Sequence, residues 1–143
     1  MLKPKLIPLQ CIKTEEGELF PIYKDWDPVH DSYSPKMVYA TTILPGVAKG
    51  PILHRRRKGF ITCLSGNIVI ECLVDKKIEK YSILNNDGTR NILIIPENTP
   101  NLIRNISNKE TAILMNLPSK SWHPEDEDTE KFKSWKDFLD EQD

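Results

Sequence analysis

Up to about residue 118 the chain is cut into short runs of β-branched and aromatic residues, each closed by a turn signal. That pattern leaves few folds open. Residues 37–44 are such a run and stop at Pro45-Gly46. Residues 60–64, the turn Ser65-Gly66-Asn67 and residues 68–74 read as the clearest hairpin. Leu19-Phe20-Pro21-Ile22-Tyr23 follows the turn Glu15-Glu16-Gly17 and reads as a hairpin fragment. Asn85-Asn86-Asp87-Gly88 is a further turn, residues 91–95 run into Pro96, and residues 111–115 make the last strand. Short strands joined by turns, with no helical period between them, exclude alternating βαβ units and leave an all-β sandwich or barrel.

The end of the chain has a different period. Phe132, Trp135, Phe138 and Leu139 fall on one face at helical spacing, which predicts a short helix over 128–141 with Asp128 or Thr129 as its N-cap. With 143 residues and no linker or repeat, the expectation is one domain over 1–143, its barrel spanning about 17–118. The formal net charge of -1 gives no basic footprint for nucleic acid or an anionic membrane, and no apolar run is long enough to cross a bilayer. The first residues lack the apolar core of a signal peptide, so the cytoplasm is the expected location. Cys11, Cys63 and Cys72 match neither a CxxC pair nor a zinc spacing and read as reduced, packed thiols, with Cys63 and Cys72 facing across the hairpin as an open alternative.

Two segments carry spacing that bears on chemistry. Gly46, five residues, then Ile52-Leu53-His54 and a gap ending at Gly66 resembles the first motif of the cupins, a double-sheet jelly roll. Pro96-Glu97-Asn98-Thr99-Pro100-Asn101-Leu102-Ile103-Arg104-Asn105 resembles the second. The resemblance implies an all-β, cupin-type jelly-roll β-barrel with a short C-terminal α-helix. It also places Ile52 and Asn101 where metal-binding cupins carry histidine. One imidazole beside Arg55, Arg56, Arg57 and Lys58 is a poor ligand set for a divalent cation, so neither a metal nor a cofactor is expected.

The same four cations suit an anion such as a diphosphate. If His54 points into the barrel, strand alternation aims Arg56 and Lys58 inward and leaves Arg55 and Arg57 outside, unless a bulge comes directly after His54. The bland alternative is that the segment is a solvated turn.

The chain further resembles the dTDP-4-dehydrorhamnose 3,5-epimerases and related sugar-nucleotide epimerases and isomerases. Glu16-Gly17-Glu18-Leu19-Phe20, Lys49-Gly50-Pro51-Ile52-Leu53-His54, Ile95-Pro96-Glu97-Asn98-Thr99-Pro100, and the tail containing Trp122-His123-Pro124 and Trp135-Lys136-Asp137 carry that resemblance in order. It implies metal-free proton chemistry beside the keto group of a nucleotide-linked 4-keto-6-deoxysugar, with a dTDP-sugar or similar as partner. His54 would be the general base, with the near-neutral pKa of an ordinary imidazole, and Lys58 the cation at the enolate. The family's acid tyrosine falls near Met115 or Asn116, which leaves Tyr39 as the candidate acid. Arg56, Asn101, Arg104 and Asn116 are the expected substrate contacts, Arg56 and Arg104 for the diphosphate. The resemblance also implies surface-glycan synthesis and a homodimer, and it places the aspartate that orients the histidine in a C-terminal extension not found in this sequence. Two function classes stay open: a one-centre epimerase or ketoisomerase, and a non-catalytic barrel that binds a sugar nucleotide.

Overall fold

The structure, a computed structural model, describes residues 2–27, 34–85, 89–125 and 128–142. Its strands are β1 (Lys5–Leu9), β2 (Ile12–Thr14), β3 (Gly17–Leu19), β4 (Tyr39–Ile43), β5 (Ala48–His54), β6 (Gly59–Ser65), β7 (Ile68–Val74), β8 (Lys77–Ile83), β9 (Arg90–Ile95), β10 (Asn101–Asn105), β11 (Ala112–Asn116) and β12 (Thr129–Lys131), followed by helix α1 (Trp135–Glu141). Two five-stranded antiparallel sheets, ordered β1-β9-β6-β11-β4 and β12-β5-β10-β7-β8, form a jelly roll, with β2 and β3 as a separate hairpin.

The core follows from alternation. Along β7, Ile68, Ile70, Cys72 and Val74 are buried on one face. They meet Ile61 and Cys63 of β6, Leu93 of β9 and Leu114 of β11 from the other sheet. A second apolar cluster, with Phe60, Ile92 and Leu117 at its centre, is covered by Ile7 and Leu9 of β1 and by Ile22 and Tyr23. The barrel therefore begins at β1, before residue 17.

Three sequence expectations change here. The segments 60–64 and 68–74 are strands, but they do not pair with each other: β6 lies between β9 and β11, while β7 lies between β8 and β10. The turn between them is a corner that carries the chain from one sheet to the other. Its geometry requires Gly66, which has φ +92° and whose added Cβ would lie 3.1 Å from Ala112 Cα. Asn85 fastens the corner by donating from Nδ2 to the carbonyls of Cys63 (2.8 Å) and Gly66 (3.0 Å). The fragment at 19–23 is strand only as far as Leu19, and the turn at 85–88 lies outside the described residues beyond Asn85.

The third change is at the tail. The helix starts at Trp135, with Ser134 as N-cap accepting from Asp137 N, not at Asp128 or Thr129. Residues 129–131 extend along the free edge of β5 and satisfy backbone groups there, a gain that a frayed first helical turn cannot match. The helix docks outside the second sheet. Phe138 is buried in edge contact with Phe132 (4.8 Å between centroids), and Trp135 Nε1 donates to Glu71 Oε1 at 2.9 Å.

Asn105, which sits at the asparagine position of the second motif, is fully buried. Its Nδ2 donates to the carbonyls of Ile43 (3.0 Å) and Glu110 (2.8 Å), and its Oδ1 accepts from Ser107 N (2.9 Å). Truncation leaves the Ile43 and Glu110 carbonyls and the Ser107 N–H without this partner. Asn105→Ala is expected to lose about 2–3 kcal/mol of stability, seen in urea unfolding as a lower midpoint with unchanged slope. An unchanged midpoint would mean that these bonds do not hold the turn after β10 to β4 and β11.

Candidate active site

A cavity lies inside the barrel, between the sheets. Ile52 and His54 reach it from β5, Tyr39 from β4, Asn101 and Ile103 from β10, and Leu114 and Asn116 from β11. Its wall is apolar at Ile52, Ile61, Ile95, Ile103 and Leu114 and polar at Tyr39, His54, Arg57, Asn101 and Asn116. Strands β5 and β10, paired neighbours in one wall, approach closely at Gly50, which has φ +116° and whose added Cβ would lie 2.8 Å from Asn101 O.

His54 is the last residue of β5, and Asp128 sets the path of the chain beyond it. The buried Asp128 Oδ1 accepts the backbone N–H of Arg55 (3.1 Å) and of Arg56 (3.0 Å), which bends the chain out of strand geometry. Alternation breaks at that point. Arg55 turns outward to pair with Glu130, and Arg56 turns outward to Asp128, 3.4 Å from Nε to Oδ1. Arg57 turns inward, lines the cavity and is only 6% exposed. The alternation rule predicted the reverse for both Arg56 and Arg57. Lys58 lies outside the cavity lining, its backbone N–H on Ser119 Oγ at 2.8 Å, so it is not placed to meet an enolate there. Arg104 also points away, next to the lining residue Ile103 on β10, with Nε 3.3 Å from Glu71 Oε2 on the outer face.

Of the sequence candidates, the cavity brings together His54, Tyr39, Asn101 and Asn116. Asn116 Oδ1 accepts Phe60 N–H at 3.0 Å, which fixes the amide so that Nδ2 donates to Tyr39 Oη at 2.8 Å. The phenol oxygen thus accepts from Asn116, leaving its own O–H to donate elsewhere. Asn101 Nδ2 reaches Thr99 O at 3.3 Å.

Two residues of the site are not expected from the sequence. Thr129 of β12 stands opposite His54 in register, with Oγ1 3.1 Å from His54 Nδ1. Arg57 Nη2 lies 3.4 Å from His54 Nε2 and 3.3 Å from Thr129 Oγ1. The imidazole is far from an unaided histidine: burial and then the Arg57 charge push its pKa down to about 4, with Asp128 opposing. It is therefore neutral at pH 7. In the sequence Asp128 and Thr129 look like helix caps, so only the register of a strand at 129–131 exposes their role.

The donor set does not fit a divalent metal. The lining offers one imidazole and no carboxylate, and among the described residues no three His, Cys, Asp or Glu side chains converge. Among the described residues, no helix is long and apolar enough to cross a membrane.

A family model described as FdtA, WxcM-like C-terminal, matches residues 2–137, and the chain belongs to that family. Solved structures with this fold include sugar-nucleotide ketoisomerases and epimerases, the group that the motifs resembled. Structures of similar fold include QdtA, a sugar 3,4-ketoisomerase from Thermoanaerobacterium thermosaccharolyticum in complex with TDP. It is 20% identical, with 97% of this chain and 93% of that chain covered and a TM-score of 0.71. A 3,4-ketoisomerase from Helicobacter canadensis is 15% identical, with 99% and 98% covered and a TM-score of 0.75. The dTDP-6-deoxy-D-glucose-3,5-epimerase RmlC from Legionella pneumophila, in complex with dTDP-4-keto-L-rhamnose, is 12% identical, with 92% and 73% covered and a TM-score of 0.77. No curated protein sequence gives a significant match.

The depressed His54 pKa has a consequence for stability. Between about 6.5 and about 4 the unfolded chain binds a proton at this position that the folded chain does not, so stability falls as pH falls through that window. His54→Asn is expected to remove this contribution, giving a shallower decline than the unsubstituted protein when unfolding is measured from pH 7 to pH 4. Parallel curves for the two proteins would show that the imidazole is not held neutral.

Proposed function

We propose that this protein is an isomerase or epimerase acting on a nucleotide-linked 4-keto-6-deoxysugar, with 3,4-ketoisomerisation as the reaction its site suits best. The observation that carries this reading is a neutral His54 and an amide-oriented Tyr39 phenol lining one cavity with no carboxylate in its wall. An uncharged imidazole is a base ready to accept a proton, and a phenol with its O–H free is an acid ready to give one.

The steps balance without an added reagent. His54 takes the proton from C3 of the 4-keto sugar. The C3–H electron pair becomes the C3–C4 double bond, and the oxygen on C4 takes a proton from Tyr39. The O3 proton then passes to the Tyr39 phenolate, the enediol electron pair takes the proton held by His54 at C4, and the 3-keto isomer forms with both residues restored. The Arg57 guanidinium, brought inside where Lys58 was expected, supplies the positive field in which the enediolate forms. The TDP ligand of QdtA and the dTDP-sugar of the epimerase support a nucleotide-sugar partner for this cavity as well. Action in the cytoplasm on precursors of surface glycans, as a homodimer, completes the proposal.

The test is deuterium exchange. Incubated with a dTDP-4-keto-6-deoxysugar in D2O, the protein should introduce deuterium at C3, read by mass spectrometry. His54→Asn should lower the rate by about 10²–10⁴ while leaving nucleotide binding largely intact. Binding without exchange across a panel of keto-sugar nucleotides would favour a barrel that only holds its ligand. Exchange undiminished in His54→Asn would assign the base elsewhere.

A further inference from the structure

His54 sits between two side chains that the sequence reading placed elsewhere, Arg57 outside the barrel and Thr129 at a helix cap. On one side Thr129 Oγ1 is 3.1 Å from Nδ1, and on the other Arg57 Nη2 is 3.4 Å from Nε2. A guanidinium has only donors to offer. The nitrogen facing it, Nε2, therefore presents its lone pair, and a neutral imidazole must then carry its proton on Nδ1, where Thr129 Oγ1 accepts it. Arg57 Nη2 also reaches Thr129 Oγ1 at 3.3 Å, which closes the three groups into a triangle.

From this geometry we propose that Arg57 and Thr129 are positioning residues. Together they fix His54 as the Nδ1–H tautomer, with Nε2 as the working base once substrate displaces the long Arg57 contact, and they keep the ring uncharged between proton transfers. The threonine of a tail strand would thus do the orienting that the family resemblance assigned to a carboxylate in a C-terminal extension. The difference is chemical. A carboxylate on Nδ1 stabilises an imidazolium, whereas a hydroxyl with a guanidinium beside it does not. A proton taken up on Nε2 is then repelled by Arg57 and is passed on quickly, which suits a base that only carries a proton from one carbon to its neighbour.

The charges around the ring are consistent with this balance. On its own segment Arg55 is drawn off by Glu130 and Arg56 by Asp128, and Lys58 lies outside the cavity. From the β12 side, Asp128 favours the charged ring and Glu130 is taken by Arg55. From β10, Arg104 is turned to Glu71 on the outer face. Lys49 on β5 and Tyr39 on β4 share the cavity wall. Arg57 is the buried member, and among the described residues its Nη1 has no hydrogen-bond partner.

The assignment of Nε2 as a base in catalysis rests on the proposed function, but the tautomer does not, so the test reads the ring itself. Imidazole nitrogen NMR of the full chain, with His54 assigned by comparison with His54→Asn, should show protonated Nδ1 and bare Nε2 from pH 8 to pH 5. Arg57→Met should move the titration of His54 upward into that range. Thr129→Val should lose the single tautomer and cost roughly tenfold or more in deuterium exchange, whereas Thr129→Ser should restore both. A His54 that titrates near 6.5 in the unsubstituted protein, or carries its proton on Nε2, overturns the proposal. So do Arg57→Met and Thr129→Val variants that fold and leave the ring unchanged. Spectra as expected, with no exchange on any keto-sugar nucleotide, would uphold the triangle and refute the catalytic reading instead.

Discussion

The hold of the buried Asp128 carboxylate on the backbone after His54 governs the rest of the site. Without it, β5 would continue and Arg56 would enter the barrel. With two N–H groups drawn to Oδ1, the strand ends, Arg56 stays outside with its carboxylate, and Arg57 is delivered to the cavity. The contact also spans most of the chain, from residue 55 to residue 128, and seats β12 beside β5 with Thr129 in register with His54. One interaction thus sets the base, its cation and its hydroxyl partner.

The electrostatic result is unusual for a protein interior. Arg57 is buried, and among the described residues no carboxylate pairs with it; its Nη2 contacts are an imidazole and a hydroxyl. Keeping a guanidinium in that state costs stability. The cost is offset if the site exists to meet negative charge that forms during reaction, which is where an isolated buried cation acts most strongly. The same field lowers the affinity of His54 for protons, so base and cation are adjusted by one contact.

Much of this was legible in the sequence, and the failures share one cause. The runs at 37–44, 60–64, 68–74, 91–95 and 111–115 are strands because β-branched periodicity is a local property. Motif spacing put His54 in the cavity, and Tyr39, Asn101 and Asn116 join it. Strands β1, β8, β10 and β12 lack that local signal. β1 and β12 are edge strands that owe their state to the neighbour they pair with, β8 mixes charge with apolar residues on an outer edge, and β10 hides within a loop-like motif. The inward and outward assignment of Arg56, Arg57 and Lys58 failed because alternation holds only within an unbroken strand. The break comes from Asp128, far along the chain. The hairpin reading of residues 60–74 failed likewise: local signals mark a turn, but only the sheets decide whether its two arms pair.

The central claim is that a sugar nucleotide presents its reacting carbon to His54 inside this barrel. A crystal structure of the protein with a dTDP-4-keto-6-deoxysugar, or with dTDP and a non-reacting sugar, tests it directly. The account predicts the sugar ring among Tyr39, His54, Asn101 and Asn116, with C3 about 3–3.5 Å from His54 Nε2. A ligand held by Arg56 and Arg104 on the outer faces, with the cavity wall untouched, would contradict it.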